Sequence, residues 1–395
     1  MAPAARHSLS LHPLLGHHEL RLALARAHAQ DAMPASLLLH GAKGVGKQRL
    51  ALWTARLLVC DDPGDGPCDE CRPCRMAASL EHPDIHWYFP LVRPKNAAGD
   101  KLVDALENAR HAELADLRTN PLRPSWTEEV RGIYLGAVRN IRSRAHKRPT
   151  MAEGPVFIVG QAELLVPQES SPEAANALLK LLEEPPGAAR FILTSSEPGL
   201  LLPTIRSRTV AFHVGPLTHT DVRGFLQRHV QVEDDIADWA TALSQGSPGR
   251  ALGFLPDEGE PGPLEVLRRR AFDLVVAATG TDPSATYGMA ISFPPAGARK
   301  LIELFSFVEE WLRDLAATAA GADDMLFNPD AHTRLREHVQ TAAISAVDVP
   351  MAFSAVETAR ELARGNVNPQ LVVSGLLRDL RRALRTESTL AGAAR

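Results

Sequence analysis

The order of apolar and polar positions divides the chain near residue 214. Ahead of that point, short apolar runs alternate with stretches of helical period. "SLLLH" (36–40), "VFIV" (156–159) and "RFILTSS" (190–196) read as buried strands, and "HPDIHWYFP" (82–90) as a loop running into another. Between them, "KQRLALWTARLLV" (47–59) repeats Leu50, Trp53 and Leu57 at helical spacing. "SSPEAANALLKLLEEPP" (170–186) is a punctuated helix: Ser170 and Glu173 have capping-box spacing, Pro172 suits the first turn, and Pro185 and Pro186 end it. Its Ala175, Leu178, Leu179 and Leu182 form one stripe. Glu183 and Glu184, adjacent on the helix, diverge by about 100° and read as solvated helix-end carboxylates rather than an acid/base pair. Strands alternating with helices predict an α/β fold with a parallel sheet and a ligand crevice at the carboxyl ends of its strands.

Beyond 214 the pattern is helical. Residues 216–255 read as a small helical unit containing "SQGSPGRAL", and "DEGEPGPLE" (257–265) as a linker. Leu301, Leu304, Phe305, Val308, Leu312 and Leu315 mark one amphipathic helix. Another starts at Asn368 and Pro369, with Val373, Leu377, Leu380 and Leu384 on one face. Such stripes suit a bundle core or an oligomer interface. The expected domains are therefore 1–213, 214–260 and 261–395, with a polar insert at 91–130 in the first. That insert carries a helical piece, "LVDALENARHAELADL", and reads as a surface element.

Composition alters this picture little. The 395 residues are 45% hydrophobic and 23% charged with net charge −4, as in an ordinary globular protein with no global basic field. No apolar run approaches a membrane span and the start has no signal-peptide core, so the expected location is cytoplasmic. Arg139, Arg142, Arg144, Lys147 and Arg148 form a local basic cluster, able to neutralise phosphates or simply to solvate a helix face. The four cysteines, Cys60, Cys68, Cys71 and Cys74, all fall in "CDDPGDGPCDECRPC". Two overlapping C-x₂-C steps plus one upstream thiol suit tetrahedral structural zinc, and a reducing cytosol argues against disulfides. His82 and His86 are four apart, but Pro83 stands where a metalloprotease helix needs Glu.

The candidate chemistry lies in "GAKGVGKQ" (41–48), between the first strand and its helix. Gly41, Gly44, Gly46 and Lys47 fit a phosphate loop, but Gln48 replaces the hydroxyl that would hold Mg²⁺. After the strand 156–159, where a nucleotide hydrolase keeps acids, stand Gly160 and Gln161; Glu163 comes two residues later. The loop backbone survives, so ATP or ADP binding is expected to be weak or absent and turnover is not expected.

These residues resemble a family. "HPLLGHHEL", "GAKGVGKQ", the four cysteines, "NALLKLLEEPP", "LLPTIRSRT", "GSPGRAL" and "NVNPQL" run in the order of bacterial DNA polymerase III clamp-loader subunits of the AAA+ type, over nearly the whole chain. Within that family the pattern is most like the delta-prime type. "NALLKLLEEPP" followed by "PTIRSR" is its most specific part; the 91–130 stretch is longer than the family pattern. The resemblance implies an AAA+ domain with a zinc module, a helical lid and a helical collar. It implies partners of gamma/tau and delta type, with the sliding clamp and primed DNA reached through the complex, and no membrane. It also implies that Arg208, in a Ser207-Arg208-Thr209 triplet where the family has "SRC", is an arginine finger for a neighbour's ATP site. Arg206 reads as a surface charge. Hydrolysing members have an Arg two residues after "GS"; here that place is Gly249, with Arg250 one later. The implied function is a non-hydrolysing subunit acting as ring stator. An active gamma/tau-like ATPase and a zinc-containing regulatory protein on the same scaffold are the alternatives.

Overall fold

The computed structural model describes residues 14–94, 100–122, 131–165, 173–280, 282–365 and 367–384. They divide into two compact units: residues up to 232 with 246–250, and 233–245 with 251–384.

The apolar runs at 36–40, 156–159 and 190–195 become strands buried on both faces, whereas 85–88 is partly buried and 210–213 largely exposed. β1 (Ser36–His40), β2 (Ile85–Tyr88), β5 (Val156–Val159), β6 (Arg190–Ser195) and β7 (Val210–His213) form one sheet in the order β2-β5-β6-β1-β7. All of its pairings are parallel, as the alternation predicts. β3 (Leu91–Val92) and β4 (Arg131–Gly132) make a separate short antiparallel pair. Successive strand residues feed opposite cores. Leu38, Phe157, Phe191 and Leu193 enter one cluster, with Val138 and Ile141 of α5 (Leu135–Ala145) and Leu178 of α6 (Glu173–Glu183). Leu37, Leu39, Ile158 and Ile192 enter the other, with Leu24 of α1 (His18–Ala29) and Leu50 and Trp53 of α2 (Lys47–Leu58). The unit is thus helix, sheet, helix, with the carboxyl edge of the sheet left for the loops. The predicted cap of α6, Ser170 with Pro172 and the Glu173 side chain, lies outside the described residues.

The insert is docked rather than free. Its helix α4 (Asp100–Thr119) buries Leu106, Arg110 and Leu114, four residues apart on one face. α3 (Arg72–Ala78) follows the cysteine run, and α7 (Pro203–Arg206) is a single turn after β6.

The second unit is helical. Pro263–Thr279, Leu301–Ala319, Val349–Arg364 and Pro369–Leu384 are its long helices. The predicted stripes Leu301, Leu304, Phe305, Val308, Leu312, Leu315 and Val373, Leu377, Leu380, Leu384 are all buried, so they are core. Inside lies a polar network. Asp314 accepts from Phe327 N, Asn328 N and Asn328 Nδ2, and Arg268 spans Glu265, Asn328 and Asp330. No described helix is long and apolar enough to cross a membrane.

Candidate functional site

The carboxyl ends of β1, β5 and β6 converge on the glycine-rich loop. Gly41 N donates to Ser195 O at 3.3 Å, which joins the loop to the end of β6. Gly46 takes φ +107° as the residue before α2, a conformation that favours glycine. Lys47 opens α2 and is 6% exposed. An ammonium has three N–H groups, and Lys47 Nζ donates to Gly41 O (2.9 Å), Ala42 O (2.7 Å) and Ser196 Oγ (3.0 Å). Burial holds its pKa down to about 8, with the charge of Glu163 partly offsetting that effect.

Glu163, the acid two residues beyond Gly160 and Gln161, has no role assigned by the sequence pattern, and the structure supplies one. It sits in a 3₁₀ turn (Ala162–Leu165) after β5, is 9% exposed, and its Oε1 accepts from Ser196 N at 3.0 Å. Its Oε2 is buried without a hydrogen-bond partner. The available signal was an acid inside the otherwise apolar "AELL". It supplies the counter-charge that keeps Lys47 tolerable in a buried loop.

The three altered positions have one packing logic. A Cβ on Gly160 would lie 3.1 Å from the Gln48 side chain, so Gln48 fills the space that an acidic side chain there would need. Gln161 takes a left-handed φ of +53° and donates its N–H to Thr194 Oγ1 at 3.0 Å. Gly249 N donates to Gly44 O at 2.9 Å, and a Cβ on Gly249 would lie 2.9 Å from Gly44 Cα. Gly44 in turn approaches Arg250 N so closely that its own Cβ would be 2.8 Å away. His17 Nε2 is 2.9 Å from Val45 O. The loop is therefore braced by the chain itself on several sides.

The four cysteines come together as predicted: their sulfurs all lie within 4.8 Å of one another, the one such metal-competent group among the described residues. Sγ atoms of Cys68 and Cys74, and of Cys71 and Cys60, are 4.0 Å apart. A tetrahedron with Zn–S near 2.3 Å has edges of about 3.8 Å, so the set fits zinc. Cys68 N, Cys71 N and Cys74 N donate to the sulfurs of Cys60, Cys68 and Cys71, which favours thiolates. Amides of Cys71 and Glu70 lower Cys68 to about 7, while burial pushes Cys74 up. His82 and His86 do not meet as ligands: His82 Nδ1 accepts from Asp84 N, and His86 lies in β2.

Arg208 follows α7. Its guanidinium donates to Thr204 O (2.9 Å) and Ser207 Oγ (3.4 Å), and it is ion-paired with Glu183 at the end of α6. Glu183 is thus a partner of Arg208 rather than a merely solvated helix-end carboxylate; nothing in its helical spacing points across to Arg208. Arg206 is exposed. The basic cluster divides: Arg139, Arg142, Lys147 and Arg148 are exposed, whereas Arg144 is half-buried against Glu107 and Asn140.

Residues 16–218 match the family described as "DNA polymerase III, delta subunit". The DNA polymerase III subunit delta' of Escherichia coli (strain K12) is 30% identical over 220 residues, covering 55% of this chain and 54% of that protein. The subunit delta' of Pseudomonas aeruginosa is 33% identical over 174 residues, 44% of this chain and 40% of that one. The subunit gamma/tau of Mycobacterium tuberculosis (strain H37Rv) is 30% identical over 224 residues, 55% and 32%. The chain thus spans about half or less of the length of each of these relatives.

Proposed function

Because the chain belongs to the DNA polymerase III delta-subunit family, we propose that it is a non-hydrolysing, delta-prime-type subunit of the clamp loader. In this reading it is the stator of a ring of gamma/tau- and delta-type subunits, and it acts in the cytoplasm on the sliding clamp and primed DNA through that ring. The division 1–213, 214–260 and 261–395 into site-bearing, lid and collar parts belongs to the same proposal.

One observation carries the lack of turnover: all three Lys47 donors are spent on its own chain. A phosphate would have to displace them. Gln48 offers no hydroxyl for Mg²⁺, and it fills the place of an acid at 160. The side chains present therefore do not fit a hydrolysable Mg·ATP. Any nucleotide affinity rests on loop amides and is weak. Cys60, Cys68, Cys71 and Cys74 would hold a structural zinc with all four positions taken by sulfur, leaving none for a catalytic water.

What this chain contributes to chemistry is then supplied in trans. Arg208 sits 31% exposed after α7, and a guanidinium there offsets charge on a γ-phosphate held by a neighbour. The test is reconstitution with the ATPase and delta-type subunits. The isolated chain should hydrolyse no ATP above background. Arg208→Ala should leave assembly intact and remove a large part of the DNA-stimulated ATPase, other interfaces retaining their own fingers. Hydrolysis by the isolated chain that Lys47→Ala abolishes, or full ATPase in the Arg208→Ala complex, contradicts the reading.

A further inference from the structure

The residue cast as the finger is not free in this chain. Arg208 has its NH1 on Thr204 O and Ser207 Oγ and its NH2 on Glu183. Its Nε is buried with no hydrogen-bond partner. One edge of the guanidinium is thus engaged by its own turn, while the other holds a single carboxylate oxygen and leaves a donor unmet. An anion that reached both Nε and NH2 would satisfy the fork that Glu183 satisfies only in part.

Glu183 is also in a position that a helix alone would not choose. It is the last residue of α6, where the helix dipole is negative, and Glu184 follows it. Lys180 is the basic residue of that last turn, yet among the described residues Glu183 is ion-paired with Arg208. A carboxylate at a helix carboxyl end is stabilised here by the cation it meets across space.

We propose that Glu183 is a positioning residue that latches Arg208 in cis, so that the finger engages a neighbour's nucleotide only by exchanging this carboxylate for the phosphate. The inference rests on the trans role of Arg208 argued above. The latch is weak by construction. Glu183 is 43% exposed and Arg208 31%, and an exposed pair biases an equilibrium by about fivefold at most. A phosphate group with more charge and a bidentate geometry outcompetes it once the subunits close. Without closure, Glu183 keeps the guanidinium away from the neighbouring site.

The experiment compares wild type, Glu183→Gln, Arg208→Ala and the double variant in the reconstituted loader, with ATPase read with and without primed DNA and clamp. Glu183→Gln keeps the shape and removes the charge. It should raise the unstimulated rate by about two- to fivefold and leave the stimulated rate within about twofold. Arg208→Ala should lower the stimulated rate. The double variant should match Arg208→Ala, because Glu183 acts only through Arg208. If Arg208→Ala lowers the rate but Glu183→Gln leaves the unstimulated rate unchanged or lower, the latch alone is wrong. A raised rate that persists in the double variant also overturns it. If Arg208→Ala has no effect, the finger and the latch fall together.

Discussion

Gly249 illustrates how a single missing side chain shapes the loop. A Cβ there meets Gly44 Cα at 2.9 Å and Gly44 O at 3.1 Å, and backbone cannot swing aside as a flexible side chain can. Gly288 is the contrasting case: it is also helical, and a Cβ on it meets nothing within 4 Å. Alanine is favoured over glycine by about 1 kcal/mol within a helix such as Pro283–Ile291, and by less at Gly249, the second residue of the helix Pro248–Phe254. Overpacking against rigid backbone costs about 1–3 kcal/mol, so the sign should reverse at Gly249 alone. Gly249→Ala is expected to lower the melting temperature and Gly288→Ala to raise it slightly. Equal stabilisation by both would show that 246–250 does not brace the loop. The substitutions at Gln48, Gly160 and Gly249 were legible in the motif. Their meaning was not, because the contacts of Gln48 with Gly160 and of Gly249 with Gly44 join residues about 110 and 200 positions apart.

At the level of elements, α4 was legible as a helix but not as a docked one. Its buried stripe includes Arg110, a residue that reads as solvent-facing until its partners are known. Arg110 donates to Trp87 O and pairs with Glu107, which also receives Asn140 and Arg144 from α5. The same network surrounds His86 of β2. Burial, with Arg144 and Arg110 adding repulsion, lowers His86 to about 4, against the weaker opposite pull of Asp84 and Glu107. The folded state therefore resists a proton that the unfolded chain accepts near pH 6.5. The contribution of His86 to stability is full above that pH, falls as pH drops from about 6.5 to 4, and is reduced by about 3 kcal/mol below that window. His86→Gln should flatten that part of a pH-stability curve measured by denaturant unfolding; an unchanged slope between pH 6.5 and 4 would remove His86 as its source. The central strands β1, β5 and β6 were the most legible elements, because burial on both faces leaves an unbroken apolar run; the exposed edge strand β7 leaves none and was not legible. Glu163 was legible as a displaced acid but not as the buried counter-charge of Lys47, because that role shows only beside the lysine.

For the whole molecule, the cysteine spacing and the periodicities disclosed an α/β part, a zinc-competent group and a helical part. They could not disclose that 246–250 belongs with the first compact unit while its flanks belong with the second. That division has a thermodynamic consequence, since each unit has its own polar keystone. The cysteine group lies in the first, where a bound zinc would contribute on the order of 10 kcal/mol to local folding. Asp314 lies in the second, fully buried, with two backbone amides and one side-chain amide donating to it. Removing its carboxylate leaves those donors unpaired in the interior, at about 1–3 kcal/mol for each. A chain of two units need not unfold in one step. Calorimetry should therefore resolve two transitions with different sensitivities. Cys71→Ser, or removal of zinc by a chelator, should depress one; Asp314→Ala should depress the other. If both changes shift a single transition by the same amount, the two units fold as one and neither keystone is local. If Cys71→Ser shifts nothing and carefully purified protein holds no metal, the thiols are not a structural zinc site.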